Sequence, residues 1–331
     1  MLPLLLACTT PPLGVDYDGS TLTVVDLHLH NGDWEDIPES TQSVIAGNFP
    51  FPFNLDPETT AASVLSSEGV VEQLDDAGIA HGLLLAVYAP RTVGVASNEV
   101  ILSRVQAAPD RLWGMASLSI EDWGSDGSAA LTALEDALAN PEMIGIKLAH
   151  THMHQRMDDA RYFGIYDVAA RTQAPLYIHT GPSPFPGTLP DPAYTDPRYL
   201  EAAIASYPDA SFVLGHACYD FLEEDIDDLD VCFDLMSRYD NVWLEISALG
   251  SDEERAEQYG EVIQRIRDEG FVERTLYGSD GPQRPGFVGS YLQSTVSAMK
   301  AAGYSAEEAG AVLSGNLSLI HISEPTRRYE I

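Results

Sequence analysis

The segment 24–30, VVDLHLH, leads an apolar run into two histidines one residue apart. In an extended strand, side chains at i and i+2 share a face, so His28 and His30 point one way and Leu27 and Leu29 the other. Two imidazoles at a strand end form half of a site for a borderline-soft divalent ion such as zinc. The remaining donors would come from residues that end later apolar runs. These are Lys147 in IGIKLAH, His179 in PLYIHTG, His216 in SFVLGHAC and Asp280 in TLYGSDGP. Glu245 and Ser247 end another run, and Arg91 follows the second. Four imidazoles, a carboxylate and one of only two lysines are groups that can hold a cation and activate water against a carbonyl carbon.

Such residues meet only if the chain brings eight segments to one rim. Short apolar runs rich in β-branched and aromatic residues occur at 24–30, 82–88, 112–118, 144–150, 175–180, 211–217, 241–247 and 275–280. Helical patterns lie between or after them, at 61–76, 98–108, 129–139, 159–172, 197–206, 226–238, 252–268 and 291–302. Gly78 is a stop signal for the first, and Asp196-Pro197 opens the fifth. This alternation implies a parallel sheet, and eight units predict closure into an α/β (β/α)₈ TIM barrel. In that fold the site lies at the carboxyl ends of the strands. The long connection 31–60, with FPFPFN near its middle, predicts an ordered lid over the mouth. Trp34, Phe49, Phe51 and Phe53 either line a substrate pocket there or pack on one another.

DLHLH, GIKLAH, YIHTG, LGHAC and YGSDGP, in this order, resemble the amidohydrolase superfamily, in its amidohydrolase-related branch of TIM-barrel metal-dependent hydrolases and decarboxylases. The resemblance runs from about 24 to 316 and takes in DPRYLEAAIASYPDASFVLGH and AGYSAEEAGAVLSGN. It implies His28, His30, His179 and Asp280 as ligands of a catalytic divalent metal, zinc by expectation. His216 is then either a further ligand or the residue that orients water and substrate. Binuclear members of the superfamily carry a carboxylated, bridging lysine at the end of strand four, which makes Lys147 and His216 candidate ligands of a second metal. The branch is commonly mononuclear, and one metal is expected.

The implied catalytic residues are Asp280, which would shuttle a proton, and His216, which would polarise the carbonyl. The expected activity is hydrolysis of a small amide, lactone or ester. The alternatives are decarboxylation of an aromatic or unsaturated acid, and a non-catalytic metal- or ligand-binding lipoprotein. Trp34, Arg91 and Arg284 are candidate substrate contacts; Arg156 is a fourth rim residue, and an arginine there either receives a substrate carboxylate or pairs with a nearby Asp or Glu. His150, His152 and His154 in HTHMH are expected to be exposed loop residues rather than ligands.

Charge excludes one class of partner. Seventeen Lys and Arg stand against 51 Asp and Glu, a formal charge of −34. General nucleic-acid binding needs a basic surface, so small molecules are the expected partners. A strongly acidic, hydrated surface fits a salt-exposed or extracytoplasmic protein. No internal apolar run is long enough to cross a bilayer. The opening MLPLLLAC resembles the end of a lipoprotein signal, with Leu5-Leu6-Ala7-Cys8 as lipobox and TTPP as tether. Acylated Cys8 would be the membrane contact, placing the protein outside the cytoplasm as a lipid-anchored or periplasmic form; a cytoplasmic location is the alternative. Residues 1–20 are thus read as signal remnant and tether, and 21–316 as the barrel. The segment 317–331 is read as a non-native tail, because SLIHISEPTR resembles a translated sequencing adapter; His321 is given no role. Cys218 and Cys232 are expected to be buried thiols, and a homodimer is expected from the family's habit of pairing.

Overall fold

The computed structural model describes residues 13–121, 123–249 and 255–321. Cys8 and the tail from 322 lie outside the described residues. All eight expected strands are present: β1 Val25–Leu29, β2 His81–Leu85, β3 Leu112–Ala116, β4 Met143–Leu148, β5 Leu176–His179, β6 Phe212–Gly215, β7 Val242–Glu245 and β8 Thr275–Leu276. They form one sheet in chain order with every neighbour parallel. The ring closes between its first and last members. Leu27 N–H donates to Tyr277 O at 3.2 Å, Asp280 N–H to His28 O at 3.1 Å, and His30 N–H to Gly281 O at 2.6 Å. The protein is a TIM barrel.

Strand alternation divides the core in two. Val25, Leu27, Leu83, Leu85, Met115, Ile144, Val213, Trp243 and Leu276 form an inner cluster joined by Leu317 and Ile320. The larger cluster between sheet and helices includes Leu29, Leu84, Ile146, Ile178, Leu214 and Leu244. Leu27 and Leu29 therefore do not share a face, contrary to the straight-strand expectation. The cause is local: the pairing of β1 with β2 shifts register between Asp26 and Leu29. An irregularity of this kind breaks the two-residue alternation and re-aims side chains at a barrel rim. Here it lets both His28 and His30 reach the mouth.

The helices follow the expected order with different edges. The pattern at 61–76 is two helices, Pro57–Val64 and Ser67–Ala77, because Ser66 breaks the run and accepts the Gly69 N–H as an N-cap. Gly78, at φ 72°, ends the second one as expected. Two short hairpins escaped the apolar pattern, Val15–Tyr17 with Ser20–Leu22 and Val87–Ala89 with Gly94–Ala96. The connection 31–60 is ordered, with 3₁₀ turns at Trp34–Asp36 and Phe53–Leu55 around a helix at Glu39–Asn48. Its aromatics are split: Phe49 is buried, whereas Phe51 is 77% exposed.

Cys218 and Cys232 are not free thiols but a disulfide, with Cα atoms 6.3 Å apart. The turn after β6 lies against the helix Leu229–Arg238, which brings the two residues within bridging distance. Among the described residues no helix is long and apolar enough to cross a membrane.

Most arginines are already paired with surface carboxylates, as in Arg91–Glu121, Arg104–Asp33, Arg156–Asp158 and Arg171–Glu135. The acidic surplus repels itself across the surface. Salt shortens the reach of that repulsion, so raising NaCl from about 0.01 M to about 1 M is expected to raise the melting temperature by on the order of 5 °C. Differential scanning fluorimetry checks this; a flat or falling melting temperature would contradict it.

Candidate metal centre and active site

Strand ends deliver the polar cluster as the barrel predicts. His28 and His30 leave β1, and Asp280 follows β8 in a left-handed backbone conformation at φ 65°. Their tips meet: His28 Nε2 lies 3.2 Å from His30 Nε2 and 3.0 Å from Asp280 Oδ1, and His30 Nε2 lies 2.9 Å from the same oxygen. His216, after β6, brings a nitrogen into the group, so that one donor atom from each of His28, His216 and Asp280 falls within 4.8 Å of the others. His179 stands beside it, its ring centroid 4.5 Å from that of His216, with Nε2 buried and unpartnered.

A second layer of residues sets the protonation of these rings. Tyr177 Oη–H and Ser247 Oγ–H donate to Glu245 Oε2 at 2.8 and 2.9 Å, and the His216 backbone N–H donates to it at 3.1 Å. Each hydroxyl has a single proton, and both are thereby used. With Glu245 ionised, above the value of about 7 to which burial raises it, His28 Nδ1, 2.7 Å from Tyr177 Oη and 3.0 Å from Ser247 Oγ, carries its own proton as the donor. The same holds for His216 Nδ1, 3.0 Å from Ser247 Oγ. Both Nε2 atoms are left as lone pairs directed at the cluster. His28 Nε2 and Asp280 Oδ1, two acceptors 3.0 Å apart, call for a cation between them.

Electrostatics agree. Burial, and then the nearby Lys147 charge, hold His28 well below the ordinary histidine value. Burial followed by the His216 and His152 rings does the same to His179, and burial lowers His216 to about 4. Neutral imidazoles are the metal-binding form. Burial would raise the Asp280 carboxyl, but its hydrogen bond with His30 and its other polar neighbours outweigh that and hold the group low. The donor set of imidazole nitrogens and one carboxylate suits a divalent ion.

Tyr177 and Asp26 are supporting residues that do not end an apolar run, whereas Glu245 and Ser247 end one and carry no assigned role in the sequence alone. Tyr177 precedes His179 by two in YIH, and Asp26 precedes His28 by two in DLH; polar residues at that spacing inside apolar strands were the available signal. Asp26 is fully buried, and its Oδ1 accepts N–H groups from His28 and Ser279 at 3.1 and 3.0 Å, tying the first strand to the loop after the last. Partners that fix ligand tautomers are commonly worth 10- to 100-fold in metal affinity. Ser247→Ala removes the acceptor of the His216 Nδ1 proton and one of the two acceptors beside that of His28, and is expected to weaken divalent-metal binding by about that factor. Competition with a chromophoric chelator measures it, and parental affinity would rule out the tautomer role.

The other expected site residues are placed as follows. Lys147 is buried with Nζ 4.0 Å from the centre of the Tyr177 ring, and burial lowers it to about 7 against the opposing pull of the Asp280 and Glu245 charges. Arg91 is exposed and paired with Glu121 at 2.6 Å. Arg284 lies over Phe287, and Trp34 is half-buried in the first turn of the connection 31–60. Arg156 pairs with Asp158 on the surface. The HTHMH histidines depart from expectation: a short helix, His150–Met153, folds His150 and His152 inward, and His154 at its end is half-buried. The His152 ring packs edge-on to His179 with centroids 5.1 Å apart, and it lines a cavity of about 230 Å³ with Tyr88, Pro90, Arg91, Ile120 and Met153.

A parallel eight-stranded barrel with imidazoles and a carboxylate gathered at its carboxyl-end rim defines a class of metal-dependent TIM-barrel enzymes. The amidohydrolase family profile matches residues 55–316, and the chain belongs to that family, whose members are metal-dependent enzymes. The match begins beyond β1, so His28 and His30 are placed by the structure alone. No curated protein sequence matches the chain.

Among solved structures, an uncharacterised TIM-barrel protein from Bordetella bronchiseptica superposes with a TM-score of 0.66 at 18% identity, covering 90% of this chain and 98% of its own. A probable 2-pyrone-4,6-dicarboxylic acid hydrolase from Acinetobacter baumannii gives 0.61 at 16%, covering 91% and 99%. A 5-carboxyvanillate decarboxylase from Novosphingobium aromaticivorans, solved with manganese and 4-hydroxy-3-methoxy-5-nitrobenzoic acid, gives 0.63 at 16%, covering 95% and 99%.

Proposed function

We propose that the protein is a metal-dependent hydrolase of a small amide, lactone or ester, with one zinc ion held by His28, His30, His179 and Asp280. The observation that carries this reading is the meeting of two imidazole nitrogens and a carboxylate oxygen within 3.2 Å at the barrel mouth. When bound, the ion supplies Lewis acidity and brings the pKa of a coordinated water to about 7. Asp280, kept ionised, accepts the proton of the attacking water and delivers it to the leaving group. Gln283 Nε2–H donates to Asp280 Oδ2 at 2.9 Å and fixes the carboxylate plane. His216, with its proton on Nδ1, presents a lone pair and serves as an aligning base or further ligand; as placed it has no Nε2–H to give a carbonyl oxygen. The cavity beside His152 seats the rest of the substrate, where Arg91 exchanges Glu121 for a substrate carboxylate. Trp34 and Arg284 are proposed as outer contacts at the rim. The buried disulfide favours an oxidising, extracytoplasmic location.

Decarboxylation of an aromatic acid is the second reading. It draws support from the likeness in fold to the 5-carboxyvanillate decarboxylase and from the buried Lys147 ammonium, a counter-charge for a carboxylate. One experiment separates them: zinc-loaded protein is offered lactones, esters, amides and hydroxybenzoates, with acid release and carbon dioxide followed in parallel. Acid release without carbon dioxide is expected. Stoichiometric carbon dioxide would replace the hydrolase with the lyase, and two metal equivalents per active chain would overturn the single-ion assignment.

A further inference from the structure

The turn that presents His216 is the most strained stretch of backbone near the site. His216, Ala217 and Cys218 are three consecutive non-glycine residues with positive φ, at 60°, 48° and 60°. L-residues visit this region singly and at a cost, so a run of three persists only where its surroundings hold it. On the barrel side the hold is visible. Glu245 accepts the His216 N–H, Ser247 accepts from its ring, and Tyr219 N–H closes the turn onto His216 O at 2.9 Å. A neighbouring loop also presses on it, since a Cβ at Gly181 would meet Tyr219 O at 1.9 Å. On the outer side the covalent hold is the bond from Cys218 to Cys232, both buried, on the helix Leu229–Arg238.

We infer that the Cys218–Cys232 disulfide is the outer anchor of the left-handed turn, and that both cysteines are positioning residues for the His216 imidazole. The bond keeps a backbone that would otherwise relax in the one conformation that points the ring at His28 and Asp280. This rests on the proposed role of His216 at the metal, and the test separates the two. Full-length protein is compared with Cys218→Ala/Cys232→Ala, with Cys218→Gly/Cys232→Ala and with His216→Ala. Zinc affinity is read by chelator competition, and hydrogen exchange at the Tyr219 amide reads the turn without the ion.

The double alanine variant is expected to bind zinc at least tenfold more weakly and to exchange the Tyr219 amide faster. Glycine at 218 adopts positive φ freely, so the glycine variant is expected to recover most of the affinity without the bond. Parental exchange in the double alanine variant, or equal weakness in both double variants, would overturn the anchor. Parental zinc affinity in His216→Ala would instead sink the ligand role of His216, while the exchange measurement still decides the anchor.

Discussion

Asp280→Asn is expected to retain most of the bound divalent metal and to lose on the order of 10³ in kcat, within the usual span for removing a general acid–base. The asparagine oxygen occupies the place of Oδ1, between His28 Nε2 and His30 Nε2, and remains an acceptor there. It cannot take a proton from water near neutral pH, whereas the Asp280 carboxylate is held ionised by His30 and its neighbours and can. Elemental analysis and steady-state kinetics on the same preparation give both numbers. Near-parental turnover would remove Asp280 from the proton path; loss of the ion along with activity would make it chiefly a ligand.

Glu245→Ala is expected to cost more in stability than any single change at the ligands themselves. Three buried donors, Tyr177 Oη–H, Ser247 Oγ–H and the His216 N–H, converge on one oxygen of this fully buried side chain. Leaving a buried donor unsatisfied costs about 1–3 kcal/mol, so a loss of roughly 3–5 kcal/mol is expected, allowing for partial relaxation. Freed hydroxyl protons can also turn toward the imidazoles, and zinc binding should weaken about 10- to 100-fold. Urea unfolding in the presence of a chelator isolates the first effect, and zinc titration the second. Glu245→Gln keeps an acceptor oxygen and should lose less of both. An unfolding free energy for Glu245→Ala within about 1 kcal/mol of the parent would show that the carboxylate is not the hub of this network.

The barrel was legible because its strands are apolar runs punctuated by turn residues, a pattern that local chemistry writes directly. The candidate ligand residues were legible because a His, Lys or Asp at the end of such a run has few places to go but the mouth. What escaped depended on contacts distant in the chain. Tyr177 looks like an ordinary barrel residue until Glu245, 68 positions later, is seen to accept its proton. His152 looks like loop until a four-residue helix turns it beneath the mouth. The Cys218–Cys232 bond spans only 14 residues, but two cysteines carry no spacing rule. The shift of register in β1 could not be read from DLHLH, since it arises from pairing with β2.

The ring of strands is sewn shut by its first and last members, and that stitch lies at the donor cluster: His28 O and His30 N–H bind the backbone of Asp280 and Gly281. A ribosome must therefore release nearly the whole polypeptide before its earliest imidazoles acquire their carboxylate partner. A nascent fragment that stops short of Gly281 cannot bring His28 and His30 to Asp280, so the donor cluster forms only after the last strand has left the ribosome.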